Sequence, residues 1–151
     1  MLDFRIAKDY DVKSAASIEF QSIKFEPREF PMNTSQSGFE EIWADRIANR
    51  HFVTIIASIR GVDCGLLSVV IRGKEGFIQA LYVHPDFFRR KIATNLIRKT
   101  EYILREKGFR RLCLNVERKN TAAISLYESM DFTEDKMQFK NYLMRMHKDL
   151  N

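Results

Sequence analysis

A change of hydrophobic period at His84-Pro85 constrains the fold of this chain more than any other feature. Before it, apolar residues come in strand-length runs, at about Phe52–Ser58, Leu66–Ile71 and Phe77–Val83. Arg60-Gly61 separates the first two runs and Arg72-Gly73-Lys74-Glu75-Gly76 the next two, which predicts a meander of hairpins. After it, Ile92, Leu96, Thr100, Ile103 and Leu104 share one helical face, and Gly108 closes that helix. Arg111–Val116 is strand-like again. Antiparallel neighbours need only a tight turn, whereas a helical crossover joins parallel ones. A meander followed by such a crossover predicts a mixed sheet with one parallel pair.

The flanks complete the pattern. Phe4–Ala7 reads as a short first strand and Val12–Ile23 as a helix. Lys24–Gly38 holds Pro27, Pro31 and the polar run Asn33-Thr34-Ser35-Gln36-Ser37, and reads as a long loop. Phe39–Asn49 is a second helix, with Phe39, Ile42, Trp43 and Ile47 near helical spacing. Thr121–Met130 is a further helix, and Phe132 onward a final hairpin ending at Tyr142–Met146. The order predicts an α/β (α+β) sandwich around one central sheet, in a single domain over residues 1–151.

Composition narrows the class. The chain is 45% apolar and 30% charged with both signs interspersed, as in a soluble globular protein. No apolar run approaches the ~20 residues needed to cross a bilayer. Met1-Leu2-Asp3-Phe4-Arg5 lacks the layout of a secretion signal, so the expected location is cytoplasmic. Cys64 and Cys113 lie in separate apolar runs, where free buried thiols are expected, and no metal site is. A net charge of +5 permits nucleic-acid binding without requiring it. The cations Arg105, Lys107, Arg110 and Arg111 gather at a helix end, where they complement the dipole.

The segment Leu81–Leu96 carries the chemistry. It predicts a buried strand, a Pro-marked break, a cationic loop and the first turn of a helix. Unpaired N–H groups at such a helix start hold anions, and Arg89, Arg90 and Lys91 stand beside them.

Leu81-x-Val83-x-Pro85 followed by Ile92-Ala93-x-x-Leu96 resembles the acetyl-CoA motif of the GNAT N-acetyltransferase superfamily. Asn120-Thr121-Ala122-Ala123-Ile124-Ser125-Leu126-Tyr127-Glu128-Ser129-Met130-Asp131-Phe132 resembles that family's Asn-x-x-Ala-x-x-x-Tyr-x-x-x-Gly-Phe segment, in the same order and spacing. The resemblance implies a mostly antiparallel mixed sheet of about six or seven strands, about four helices, and a splayed parallel pair in the middle. It implies acetyl-CoA as cofactor and acetyl transfer to a primary amine by direct attack. The loop and helix start, Phe88, Arg89, Arg90, Lys91, Ile92, Ala93 and Thr94, would hold the pyrophosphate. Backbone groups of Leu81, Tyr82 and Val83 would face the pantetheine arm, one N–H serving as oxyanion donor. Asn120 would contact that arm, although Asn is also a strong helix N-cap. Tyr127 would approach the sulfur as general acid, although it also suits the core.

Four positions depart from the family. Phe88 and Lys91 stand where the loop usually carries Gln or Arg and Gly; ordinary helical dihedrals at Lys91 would need no glycine. Gln79 and Ala80 occupy the strand region where many relatives carry a Glu base, leaving Glu75 or His84 as candidate proton acceptors. Asp131 replaces a helix-end Gly. For the amine acceptor, Glu26, Glu29, Glu40, Glu41 and Asp45 offer negative charge, and Phe25, Phe30, Phe39 and Trp43 offer walls; solvated acids and core aromatics explain the same residues. A non-catalytic acyl-CoA-binding or regulatory module is the alternative function, with a nucleic-acid-binding domain less favoured. Homodimer formation stays open.

Overall fold

The period change at His84-Pro85 marks the hinge of the architecture. In a computed structural model, which describes residues 1–28, 33–136 and 141–151, the elements run β1 (Leu2–Ile6), α1 (Val12–Ser22), α2 (Gln36–Ala48), β2 (Phe52–Ile59), β3 (Val62–Arg72) and β4 (Glu75–Val83). They continue α3 (Ile92–Glu106), β5 (Arg111–Glu117), α4 (Thr121–Ser129), β6 (Thr133–Glu134) and β7 (Leu143–Asp149). The strands form one sheet in the order β1-β2-β3-β4-β5-β7-β6. Among the described strands only β4 and β5 pair in parallel, joined across α3 as the crossover requires.

Alternation along the strands feeds two apolar layers. Ile55, Leu67, Leu112 and Leu114 pack with Leu96, Ile97 and Leu104 of α3. On the opposite face Ile56, Leu66 and Ala80 pack with Ala15, Ala16 and Ile18 of α1 and with Phe39 and Trp43 of α2. Two sheet glycines let α3 lie close. A Cβ on Gly65 would meet Ile92 Cγ2 at 2.9 Å and Leu96 Cδ1 at 3.2 Å; one on Gly76 would meet Leu104 Cδ1 at 2.9 Å. The start of α3 is thereby seated directly over β3.

The structure moves several predicted boundaries, each for a local reason. Helix α2 begins at Gln36 rather than Phe39, because Ser35 within the polar run is its N-cap, Oγ accepting from Gly38 N–H at 3.1 Å. Strand β3 begins at Val62, so Asp63 lies in a strand. Arg5 binds that carboxylate at both oxygens, at 2.8 and 2.9 Å, and Ser14 adds a third bond at 2.6 Å. Strand β7 runs to Asp149, because its register carries it alongside the whole of β5. It also inserts between β5 and the two-residue β6.

Candidate functional site

The parallel pair does not stay paired. Strand β4 is bonded to β5 only from Glu75–Arg111 through Ile78–Leu114. At that same point the β3–β4 register slips between Ser68 and Val69, leaving Gln79 without a partner on β3. An extra residue bends its strand, so the bulge at Gln79 and the parting of β4 from β5 coincide. Between the parted ends lies a cleft of about 380 Å³, whose lining includes Gln79, Leu81, Tyr82, Val116, Asn120 and Tyr127. That volume is in the range of small-molecule sites.

One end of the site is built from backbone. Among the described residues no backbone carbonyl accepts from the N–H of Arg89, Arg90, Lys91, Ile92, Ala93 or Thr94; the first helical bond of α3 is Asn95 N–H to Lys91 O, at 3.1 Å. Arg89 (φ 65°) and Lys91 (φ 58°, ψ 28°) are both left-handed, which turns successive N–H groups toward one concavity. The expectation of ordinary helical dihedrals at Lys91 is therefore wrong: the chain makes the glycine-type turn with a lysine. The Ile92 side chain is buried on Gly65, so Ile92 presents only its N–H. Arg89, Arg90 and Lys91 are exposed around the turn. Phe88 is exposed and meets the edge of Phe25 at 5.6 Å between ring centroids, so the loop touches the segment that follows α1. This donor set, six free N–H groups and three cations, fits a pyrophosphate.

The other wall comes from α4. Asn120 does cap it, its Oδ1 accepting from Ala123 N–H at 3.2 Å, and it also lines the cleft. Tyr127 stands on the last turn of α4, which ends in a Schellman motif. Phe132 N–H bonds Tyr127 O at 3.0 Å and Asp131 N–H bonds Glu128 O at 3.1 Å, with Asp131 left-handed at φ 71°. The accompanying contact is between the rings of Tyr127 and Phe132, edge to face at 5.8 Å. The helix stop thus holds Tyr127 against the cleft. Burial, with the charge of Glu26 added, raises the phenol well above its usual range.

The predicted base candidates are not brought here. Glu75 pairs with Arg111 at the closed end of the parallel pair, four residues before the bulge. His84 Nδ1 accepts from Asp86 N–H at 3.2 Å and caps the turn at Pro85–Phe87. Neither lines the cleft. Of the acids and aromatics considered for an acceptor, Glu41 and Asp45 are exposed, Glu40 sits beside Gln36, and Phe39 and Trp43 are wholly buried core. Glu29 and Phe30 lie outside the described residues.

Glu26 is the exception. It lines the cleft together with Pro27 and Arg28, and Arg28 Nη2 donates to its Oε2 at 2.7 Å. The Tyr82 side chain neighbours both Arg28 and Glu19, and Glu19 Oε1 accepts from Trp43 Nε1–H at 2.8 Å. This rail of neighbouring side chains, buried at Trp43 and half-buried at the cleft, went unseen in the sequence, where its members are scattered from residue 19 to residue 82. An acid buried on the apolar face of α1, Glu19 among Ala15, Ala16 and Ile18, was its one visible sign.

An antiparallel meander, one parted parallel pair and a concave turn of backbone N–H groups at the start of the crossover helix together define the class of fold. The acetyltransferase (GNAT) family model matches residues 18–132, and the chain belongs to that family. Human N-alpha-acetyltransferase 30 is 36% identical over 70 residues, covering 46% of this chain and 19% of that protein. An acetyltransferase of Yersinia enterocolitica is 34% identical over 82 residues, covering 54% of this chain and 58% of that protein. The chain therefore matches about a fifth to three fifths of the length of these relatives. The PaiA N-acetyltransferase of Thermoplasma acidophilum in complex with coenzyme A superposes with a TM-score of 0.83 at 19% identity over 99% of each chain. An acetyltransferase from Thermus thermophilus gives 0.86 at 14% identity, over 99% of this chain and 97% of that one. At these identities the structural likeness is one of fold. No described helix is long and apolar enough to cross a membrane.

Proposed function

We propose that the chain transfers the acetyl group of acetyl-CoA to a primary amine by direct attack of the amine nitrogen. The observation that carries this reading is the parting of β4 from β5 at Gln79, with Tyr127 on the wall of the cleft and the N–H groups of residues 89–94 in the turn that follows the parted end of β4. Bound there, acetyl-CoA supplies an activated thioester. The residue 89–94 turn holds its phosphates, and the edge of β4 beyond Ile78, unbonded on the β5 side, offers backbone groups of Leu81 and Val83 to the arm. Positioning supplies much of the rate, because the cleft holds the amine against the thioester. Tyr127 stays protonated through neutral pH and gives its proton to the departing sulfur. Burial weakens the phenol as an acid, and a thiolate desolvated in the same cleft gains proton affinity too, which offsets that loss.

The test is thermal denaturation with and without acetyl-CoA, paired with release of free thiol in the presence of an amine. At a hundredfold excess over Kd, binding stabilises the protein by about 2.7 kcal/mol, which shows as a rise of several degrees in Tm. No shift at millimolar acetyl-CoA sinks the proposal. A shift without thiol release from any amine favours a binding module instead.

A further inference from the structure

An amine near its ordinary pKa of about 10.4 arrives protonated at neutral pH and must lose a proton before it attacks. Strand β4 offers Gln79 at the bulge, and neither Glu75 nor His84 reaches the cleft. The carboxylates on its lining are Glu26 and Glu117. Glu117 stands on the outer rim, where it also borders a shallow pocket walled by Arg118 and Lys119. Glu26 is placed differently. It lines the cleft on one side and, on the other, a second cavity of about 460 Å³ bordered by Phe20, Ile23, Lys24, Asn33 and Thr34. Arg28 engages its Oε2, while Oε1 has no hydrogen bond among the described residues.

We propose that Glu26 takes the proton from the acceptor amine, that the amine reaches it from the second cavity, and that Arg28 is the positioning residue that aims it. This rests on the acetyl-transfer reading above. The ammonium gives one proton to Glu26 Oε1, leaving a neutral amine and a carboxylic acid. The nitrogen then forms its bond to the acetyl carbon as the carbon–sulfur bond breaks. The sulfur leaves with the bonding pair and takes a proton from Tyr127, and the nitrogen loses its second proton to solvent. Glu26 and Tyr127 reset by exchange with water, so one ammonium and one thioester yield one amide, one thiol and one released proton.

The groups facing Glu26 are Arg28 on its own segment, Glu19 of α1, Tyr82 of β4, Glu117 of β5 and Tyr127 of α4, with Lys24 on the second cavity. Burial raises the Glu26 carboxyl above its usual range, with Arg28 opposing and Glu19 and Glu117 adding to the rise. A base is most effective when its pKa approaches the working pH. Arg28 holds Glu26 at Oε2 at 2.7 Å, on an irregular segment beside the α1–α2 pair.

The experiment measures kcat/KM against pH for spermidine, N-α-acetyl-lysine and pentaalanine, in the wild type, Glu26→Gln and Glu26→Asp. A second readout is the 13C carboxyl titration of Glu26 in the protein alone, assigned by its disappearance in Glu26→Gln. We expect Glu26→Gln to lower kcat/KM by roughly 10²-fold at pH 7. That deficit should shrink to a few-fold near pH 10, where the amine arrives neutral, and Glu26→Asp should recover part of the rate. The carboxyl should titrate above the ordinary glutamate value of about 4.3. An unchanged pH profile in Glu26→Gln, a deficit equal at pH 7 and pH 10, or a midpoint at or below about 4.3 overturns the assignment. Wild-type turnover of none of the three amines counts instead against acetyl transfer, and the titration still decides the proton affinity of Glu26.

Discussion

The two ends of the site are held by different means. The turn proposed to hold phosphate is made of main chain: two left-handed residues, a helix start and a glycine beneath it. The wall proposed for the acceptor is made of side chains, a row of neighbours from Trp43 through Glu19, Tyr82 and Arg28 to Glu26. A backbone site depends on dihedrals and packing, and tolerates changes of side chain. A side-chain rail depends on every member being present. This chain makes the turn with a lysine in the left-handed position at residue 91, whereas loss of any one member would interrupt the row.

The sharpest way to break the contrast is at the buried end of the rail. Trp43 is fully buried between α1 and α2. Trp43→Ala should cost about 3–5 kcal/mol, seen as a large drop in Tm. Trp43→Phe keeps most of the volume but strands Glu19 Oε1, which costs about 1–3 kcal/mol. For this second variant, amine KM should rise while coenzyme A Kd, measured by calorimetry, stays within twofold. Equal losses on both ligands would show that the walls are not independent.

Tyr127 tests the contrast from inside the cleft. Tyr127→Phe keeps the ring contact with Phe132 and the Schellman stop, which are backbone and aromatic features. Turnover should fall roughly 10²-fold, about 2.7 kcal/mol in barrier, with cofactor Kd little changed. Unchanged turnover would assign the phenol to packing alone.

What the sequence made legible follows the same division. The period change at His84-Pro85 foretold the parallel pair, and the helix start at Ile92 foretold the cradle, because local patterns encode main-chain geometry. Asn120 and Tyr127 were legible because a cap and a Schellman stop both leave marks within a few residues. The bulge at Gln79 was not, since nothing in Phe77–Val83 breaks the strand pattern; it exists through register against β3. The rail was invisible because its residues meet only after α1, α2 and β4 stack. Glu75 and His84 seemed near the chemistry only because they flank the motif in sequence; strand rise carries Glu75 to the far end of the pair.

The smallest effect gives the finest comparison, between the two residues that occupy glycine-type positions. Lys91 (φ 58°) and Asp131 (φ 71°) each hold a left-handed conformation that costs a residue with a side chain about 1 kcal/mol. Asp tolerates it better than Lys, because its short side chain bonds locally. Glycine removes the cost in the folded state but adds chain entropy to the unfolded one. Lys91→Gly should therefore stabilise by under about 1 kcal/mol, and Asp131→Gly by less, in equilibrium urea unfolding. Their effects on the ligand should diverge. Lys91→Gly removes a cation from the rim of the turn, so coenzyme A Kd should rise, and should climb less steeply as salt is added. Asp131→Gly, beyond the stop of α4, should leave both Kd and its salt dependence as they are. If Lys91→Gly instead tightens binding, backbone approach to the phosphate outweighs charge at this turn, and the lysine is tolerated there rather than used.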